Sequence, residues 1–247
     1  VVGSPEGEGI TYSTRGRQTE GGRNGYQQRV DVTARADYTL EIPLLGKHQA
    51  RNAAVAVGLL EELNVDTDSV HEGMKRADWA GRFEVVDTKP AVILDAAHNP
   101  AGVESVVETL EEEFDWDSLY TVFGVMSDKD IERMARYLSV SDTVYTTAPS
   151  TPRAEDAESL KQVFDEHGIE TVEAHENVLK SVESALSDAT EGDIVLVTGS
   201  LFTVGEARRR WTNSGITKTF DSEQEASEAL EVSGVPASDT EELAPSG

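Results

Sequence analysis

The segment Leu94-Asp95-Ala96-Ala97-His98-Asn99-Pro100 carries the greatest density of potential chemistry in the chain. An apolar run delivers Asp, His and Asn into a loop, and Pro100-Ala101-Gly102 opens a helical stretch. A carboxylate at the end of a buried strand can accept two ribose hydroxyls. The same Asp95 could instead make an Asx-turn or cap the helix, leaving His98 on the surface. Arg82 follows Gly81, and its planar fork matches phosphate oxygens; it could also pair with a surface carboxylate. His48 and Asn52 stand four residues apart, so a helix would place them on one face. The Asn52 amide offers a donor and an acceptor, which suits an adenine edge or plain solvent. Gly199-Ser200 follows the apolar run Ile194–Thr198 and could form an anion-binding turn at a helix start. Lys129, near another strand end, is a ligand contact or an ordinary helix-entry residue. His71, His167, His175 and Glu111-Glu112-Glu113 read as solvated. The macrodipole accounts for Arg208-Arg209-Arg210 at a helix end.

Positioning these residues requires two kinds of architecture. Residues 9–14, 26–32 and 37–43 read as strands of an antiparallel meander, with Gly21-Gly22 and Asn24-Gly25 as turns. Gly46 to Leu63 reads as a helix with an apolar stripe of Ala53, Ala56, Val57 and Leu60, and a shorter helix is expected over 67–76. From residue 82 the pattern changes. Strands are expected at 91–94, 119–124, 143–146, 171–174 and 193–198, and helices at 102–114, 130–138, 154–167, 178–189 and 204–210. This alternation predicts an α/β domain with a mostly parallel sheet covered on both faces, whose ligands sit at strand carboxyl ends. Residues 216–247 read as an acidic flexible tail or linker.

Composition narrows the function. The 247 residues include 21 Lys+Arg and 47 Asp+Glu, a formal net charge of −26, and no Cys. Absent cysteines exclude a disulfide scaffold, a thiolate zinc site and a cysteine nucleophile. The acidity argues against nucleic acid as a partner. No apolar run reaches the roughly 18 residues of a membrane span, and the start does not read as a signal peptide. The absent initiator Met suggests a fragment or a processed chain. High net charge fits either disorder or a salt-rich cytoplasm. Regular apolar segments, and seven Lys against fourteen Arg, favour a salt-adapted cytoplasmic protein. Neither GxxxxGK[ST] nor GxGxxG occurs, so a nucleotide site here lacks its own phosphate loop.

Five motifs, in order, resemble those of the folylpolyglutamate synthase/dihydrofolate synthase family of Mur ligases. Gly46-Lys47-His48-Gln49-Ala50-Arg51-Asn52-Ala53-Ala54 is similar to its G-x-H-Q-x-x-N-A-A helix, and Trp79-Ala80-Gly81-Arg82-Phe83-Glu84 to its W-P-G-R-x-E. Asp95-Ala96-Ala97-His98-Asn99-Pro100-Ala101-Gly102 is similar to D-G-A-H-N-P-x-G. Gly124 to Asp130 resembles a G-x-x-x-D-K-D turn, and Gly199 to Glu206 resembles G-S-L-x-x-V-G-E. Ala80 replaces Pro and Ala96 replaces Gly, and neither change removes a functional group.

The resemblance implies an α/β fold: a Rossmann-like Mur-ligase C-terminal domain with a mostly parallel sheet over 79–215. The end of a central ATPase domain precedes it at 1–78, and the tail follows at 216–247. It implies an ATP-dependent ligase that adds L-glutamate to a folate or dihydropteroate through an acyl phosphate. By resemblance, Asn52 contacts adenine, Arg82 the γ-phosphate and Asp95 the ribose. His98 and Ser200 hold glutamate, with Arg82 and His98 as catalytic residues. ATP and Mg2+ are the implied cofactors. The phosphate loop, metal ligands and a modified lysine are expected upstream, and no metal ligand is assigned within the chain. No nucleic acid or membrane partner is expected, and the default assembly is a monomer. Some relatives fuse the ligase to dihydropteroate synthase, so the tail is expected to lead there. Two alternatives stay open: a Mur-type ligase for another acid, or, for the fragment alone, a non-catalytic nucleotide- or amino-acid-binding module. First-glutamate addition and polyglutamate extension fit the sequence equally.

Overall fold

The computed structural model describes residues 2–3, 10–18 and 26–212. The expected turns at 21–25 and the tail at 216–247 lie outside the described residues.

The first sheet contains β1 (Val2–Gly3), β2 (Ile10–Gln18), β3 (Gln27–Thr33) and β4 (Asp37–Ile42) in that order. β2, β3 and β4 form the expected antiparallel meander, and β1 adds in parallel. Alternation puts Val30, Val32, Tyr38, Leu40 and Ile42 on one face. They pack on Ala50, Ala53, Ala54 and Val57 of α1 (Lys47–Glu62) and on Val70 of α2 (Thr67–Lys75). Ala-rich α1 needs little help to be helical. It ends at Asn64, whose φ of 57° is the left-handed stop that Asn tolerates.

The second sheet runs β5-β6-β10-β7-β8-β9. Its elements are β5 (Glu84–Thr88), β6 (Ala91–Leu94), α3 (Pro100–Glu113), β7 (Leu119–Phe123), α4 (Ile131–Tyr137), β8 (Thr143–Thr147), α5 (Ala157–Glu166), β9 (Thr171–His175), α6 (Val178–Asp188), β10 (Ile194–Thr198) and α7 (Leu201–Arg208). All neighbours are parallel except β5, which is antiparallel to β6. Side chains divide by parity. Ile93, Leu119, Phe123, Ile194 and Leu196 face α3, α4 and α5, whereas Val92, Leu94, Val122, Val195 and Val197 face α6 and α7. Covering on both faces explains the continuous apolar strands. Helices α3 to α7 start on Asn99, Asp130, Asp156, Asn177 and Ser200, whose side chains each accept a backbone N–H in the first turn.

Several elements depart from expectation: β1 lies outside the expected strands, and α5 begins at Ala157 rather than 154. β5 lies outside the expected strands, because a register shift between Val85 and Asp87 breaks its period-two pattern. α7 begins at Leu201 rather than 204. Its first residues, Leu201 and Phe202, are exposed and give no amphipathic signal.

The two sheets belong to one compact unit spanning Val1–Thr212. Leu45 enters the core of the second sheet, Tyr26 lies 5.4 Å from Phe114, and Lys47 pairs with Glu112. Gly46 is required at this junction: its φ is +101°, and a Cβ would lie 2.6 Å from Thr109 Oγ1.

Candidate active site

Adjacency of β6, β10 and β7 brings three carboxyl-end loops together. The Asp95 N–H donates to Val197 O at 3.0 Å, the Gly199 N–H to Ala97 O at 3.1 Å, and the Gly124 N–H to Thr198 O at 3.3 Å. Gly199 has φ +106°, and a Cβ there would stand 2.5 Å from Gly124 O. Gly199→Ala is therefore expected to lower the unfolding free energy by about 2–4 kcal/mol. Denaturant titration checks this; an unchanged midpoint would show that the loops can separate freely.

Asp95 is only 4% exposed. Its Oδ1 accepts the Ala97 N–H and its Oδ2 the Phe83 N–H, both at 2.8 Å. The Ala97 bond is the Asx-turn that the sequence allowed. The Phe83 bond reaches across to the loop that carries Arg82. Burial pushes the Asp95 carboxyl above the usual range, against the pull of both N–H groups and of Arg82 and His98.

That loop is held on both sides of Arg82. Gly81 has φ +70° and Phe83 φ +44°, so Arg82 sits between two left-handed residues. Such a conformation costs energy at Phe83 and persists because its surroundings enforce it. The Phe83 ring is buried 5.9 Å from Phe114, and its N–H is taken by Asp95. The Gly81 carbonyl accepts the Ala96 N–H at 2.9 Å, and the Gly81 N–H donates to Glu84 Oε2 at 2.8 Å.

The Arg82 guanidinium lies 5.8 Å from the centroid of the Trp79 ring, a cation–π distance. Trp79 is 65% exposed. Across the junction, burial and then the Arg82 charge hold His48 below its ordinary pKa. His48 lies on α1 and Arg82 in the loop before β5. Asn52, one turn beyond His48, is exposed and donates to Gln49 Oε1 at 3.1 Å.

His98 is exposed, and its Nδ1 lies 3.0 Å from Ala96 O. A carbonyl only accepts, so Nδ1 carries the proton in this bond. Ser200 is buried at the start of α7, where its Oγ accepts the Thr203 N–H at 3.1 Å. Thr203 Oγ1 donates to Gly124 O at 2.7 Å, so the Ser200 hydroxyl donates to Thr203 Oγ1 at 2.8 Å. Ser200 therefore caps a helix whatever else it contacts. Lys129 pairs with Asp128, which Arg153 also holds.

Two readings of the sequence need correction. Arg208 is not explained by the macrodipole: its Nε and Nη2 grip both Glu84 oxygens at 2.9–3.1 Å. The solvated reading of His167 and His175 also fails: both side chains are largely covered, His167 Nδ1 lies 2.8 Å from Val163 O, and the His175 ring lies 5.6 Å from Tyr145. Sequence reasoning also assigned nothing to Glu84 or to Glu206, which accepts the Ser150 N–H at 2.6 Å. Their signal was their place inside the two motifs Trp79–Glu84 and Gly199–Glu206.

Among the described residues, no three His, Cys, Asp or Glu side chains gather as a metal site. Nor is any helix among them long and apolar enough to cross a membrane.

Residues 81–201 match the family described as Mur ligase, glutamate ligase domain. The chain is 44% identical over 234 residues to a Halobacterium salinarum protein named "Probable bifunctional folylpolyglutamate synthase/dihydropteroate synthase"; the match covers 94% of this chain and 28% of that protein. Mycobacterium tuberculosis folylpolyglutamate synthase, solved with ADP and AMPPCP, superposes with a TM-score of 0.73 at 32% identity, over 82% of this chain and 48% of that one. The bifunctional folylpolyglutamate synthase/dihydrofolate synthase of Yersinia pestis, solved with AMPPNP and a Mn ion, gives 0.65 at 27%, over 82% and 46%. The chain thus spans about a quarter to a half of the length of these relatives.

Proposed function

We propose, from the premise that this chain belongs to the Mur ligase family as a C-terminal portion of the folylpolyglutamate synthase/dihydrofolate synthase type, that its polypeptide is an ATP-dependent ligase. It joins L-glutamate to a folate or dihydropteroate. The observation that carries this reading is the Arg82 loop, pinned on both sides by the bonds of the Gly81 N–H to Glu84 and of the Phe83 N–H to Asp95.

ATP supplies the phosphoryl group that activates the acceptor carboxylate for displacement by the glutamate amine. Arg82 opposes the charge that develops on that group, as a positioned cation rather than an acid or base. Asp95 has lone pairs beyond those given to Phe83 and Ala97, and these receive the ribose hydroxyls. Asn52, exposed on α1, offers its amide to adenine. His98 and Ser200 hold glutamate beside the Gly124 loop. Magnesium is the expected metal of the reaction, supported by the nucleotide and manganese bound in relatives. Its ligands are expected upstream, and no residue of the chain is proposed to hold it. The Halobacterium relative supports a fused dihydropteroate synthase and, with the acidic composition, a high-salt cytoplasmic setting. A monomer is the expected assembly.

The test uses the full-length polypeptide folded in multimolar KCl with ATP, magnesium and glutamate. ADP release that depends on dihydropteroate or on tetrahydrofolate is the expected result and names the acceptor. Release with neither, in folded protein, would assign the site to another acid.

A further inference from the structure

Helix α7 touches several loops around the site. Its cap Ser200 lies in the loop after β10, and Thr203 binds Gly124 O after β7. Glu206 accepts the Ser150 N–H after β8. Val204 packs under Gly81, where a Cβ would stand 2.9 Å from Val204 Cγ1. At its last turn Arg208 grips Glu84, which also accepts the Gly81 N–H.

We propose that Glu84 and Arg208 are positioning residues that set the Arg82 guanidinium, with α7 as the rigid link to the Ser200 end of the site. This deepens, and rests on, the ligase reading above. Two features carry it. First, the pair is bidentate and only partly exposed, with Arg208 at 31% and Glu84 at 15%. The Arg208 fork therefore fixes the plane of the Glu84 carboxylate. Second, Glu84 Oε2 is shared between Arg208 Nε at 2.9 Å and the Gly81 N–H at 2.8 Å. Any swing of the carboxylate moves the residue before Arg82, in the left-handed stretch that aims its side chain. Packing of Val204 against Gly81 leaves no slack from below. Glutamate seated at the Ser200 end and phosphate met by Arg82 are thereby registered against one another through eight helical residues.

The experiment compares Arg208→Ala, Arg208→Lys and the reversed pair Glu84→Arg/Arg208→Glu with the parent, all in the full-length polypeptide. Arg208→Ala is expected to lower kcat roughly 10- to 100-fold, the scale of a small misplacement, with KM for glutamate within about 3-fold. Arg208→Lys keeps the charge without the fork and recovers only part of the rate. The reversed pair restores the thermal midpoint but not kcat, because a guanidinium at position 84 has no acceptor for the Gly81 N–H. An unchanged kcat in Arg208→Ala would overturn the proposal. So would a reversed pair that regains rate together with stability. Amide exchange at Gly81 and Phe83, read without substrates, separates the two hypotheses. A parent with no glutamate-dependent ADP release would sink the ligase reading alone. Faster exchange in Arg208→Ala would still support the positioning role, and unchanged exchange would refute it.

Discussion

Arg82→Ala in the full-length polypeptide is expected to lower kcat about 10²- to 10³-fold, the scale of a removed charge-stabilising donor. KM for glutamate should move little, since His98 and Ser200 reach the site from other loops. The fold should survive. The bonds that pin the loop belong to the backbone of Gly81 and Phe83, and the Arg82 side chain is only half-buried. A second readout needs no substrate. The Arg82 charge helps to hold His48 below its ordinary pKa, so its removal should raise the midpoint of the His48 ring in an NMR titration. Arg82→Lys keeps the charge but not the planar fork and should restore the His48 midpoint more fully than kcat. A wild-type kcat in Arg82→Ala would remove this residue from the phosphoryl step.

Asp95→Ala should be damaging in both stability and rate. It strands the N–H groups of Phe83 and Ala97 in a buried place. Each unsatisfied group costs about 1–3 kcal/mol, so a loss of ~2–5 kcal/mol is expected in denaturant unfolding. Phe83 would lose the bond that stabilises its φ of +44°, and Arg82 would lose its aim with it. The rate should therefore fall at least as far as in Arg82→Ala. Asp95→Asn keeps one oxygen but turns an amide donor toward a backbone donor, so it should fall between Ala and the parent in stability. Unfolding unchanged by Asp95→Ala would mean that the loop is not held by this carboxylate.

Much of the architecture was legible in the sequence because its signals are local. Period-two strands, apolar runs bounded by Asn, Asp or Ser caps, and a change of period after residue 81 are each written within a few neighbouring residues. β5 was not legible, since its bulge erases the alternation. The site divides in the same way. Asp95 announced itself as a charge ending an apolar strand, and Arg82 as a cation after a glycine. The partnership of Asp95 with Phe83 spans twelve positions, and that of Glu84 with Arg208 spans 124. No local pattern reports such distances. A basic residue at a helix end already has a sufficient local explanation, which hid the pairing. Ser200 divides likewise: a turn at Gly199-Ser200 was readable, while its cap of a helix starting at Leu201 and its link through Thr203 to Gly124 were not.

β10 lies between β6 and β7, although it is the last of the described strands in chain order. During synthesis, a nascent chain that has not yet released residue 198 can hold β5–β6 and β7–β8–β9 only as two separate pieces, each with an open edge facing the gap. The domain closes by insertion rather than by addition at a rim. Truncation before Ile194 would therefore split the sheet at its centre, and an arrested ribosome would expose two adhesive edges at once. Maturation of this sheet waits on β10 and on α7 that follows.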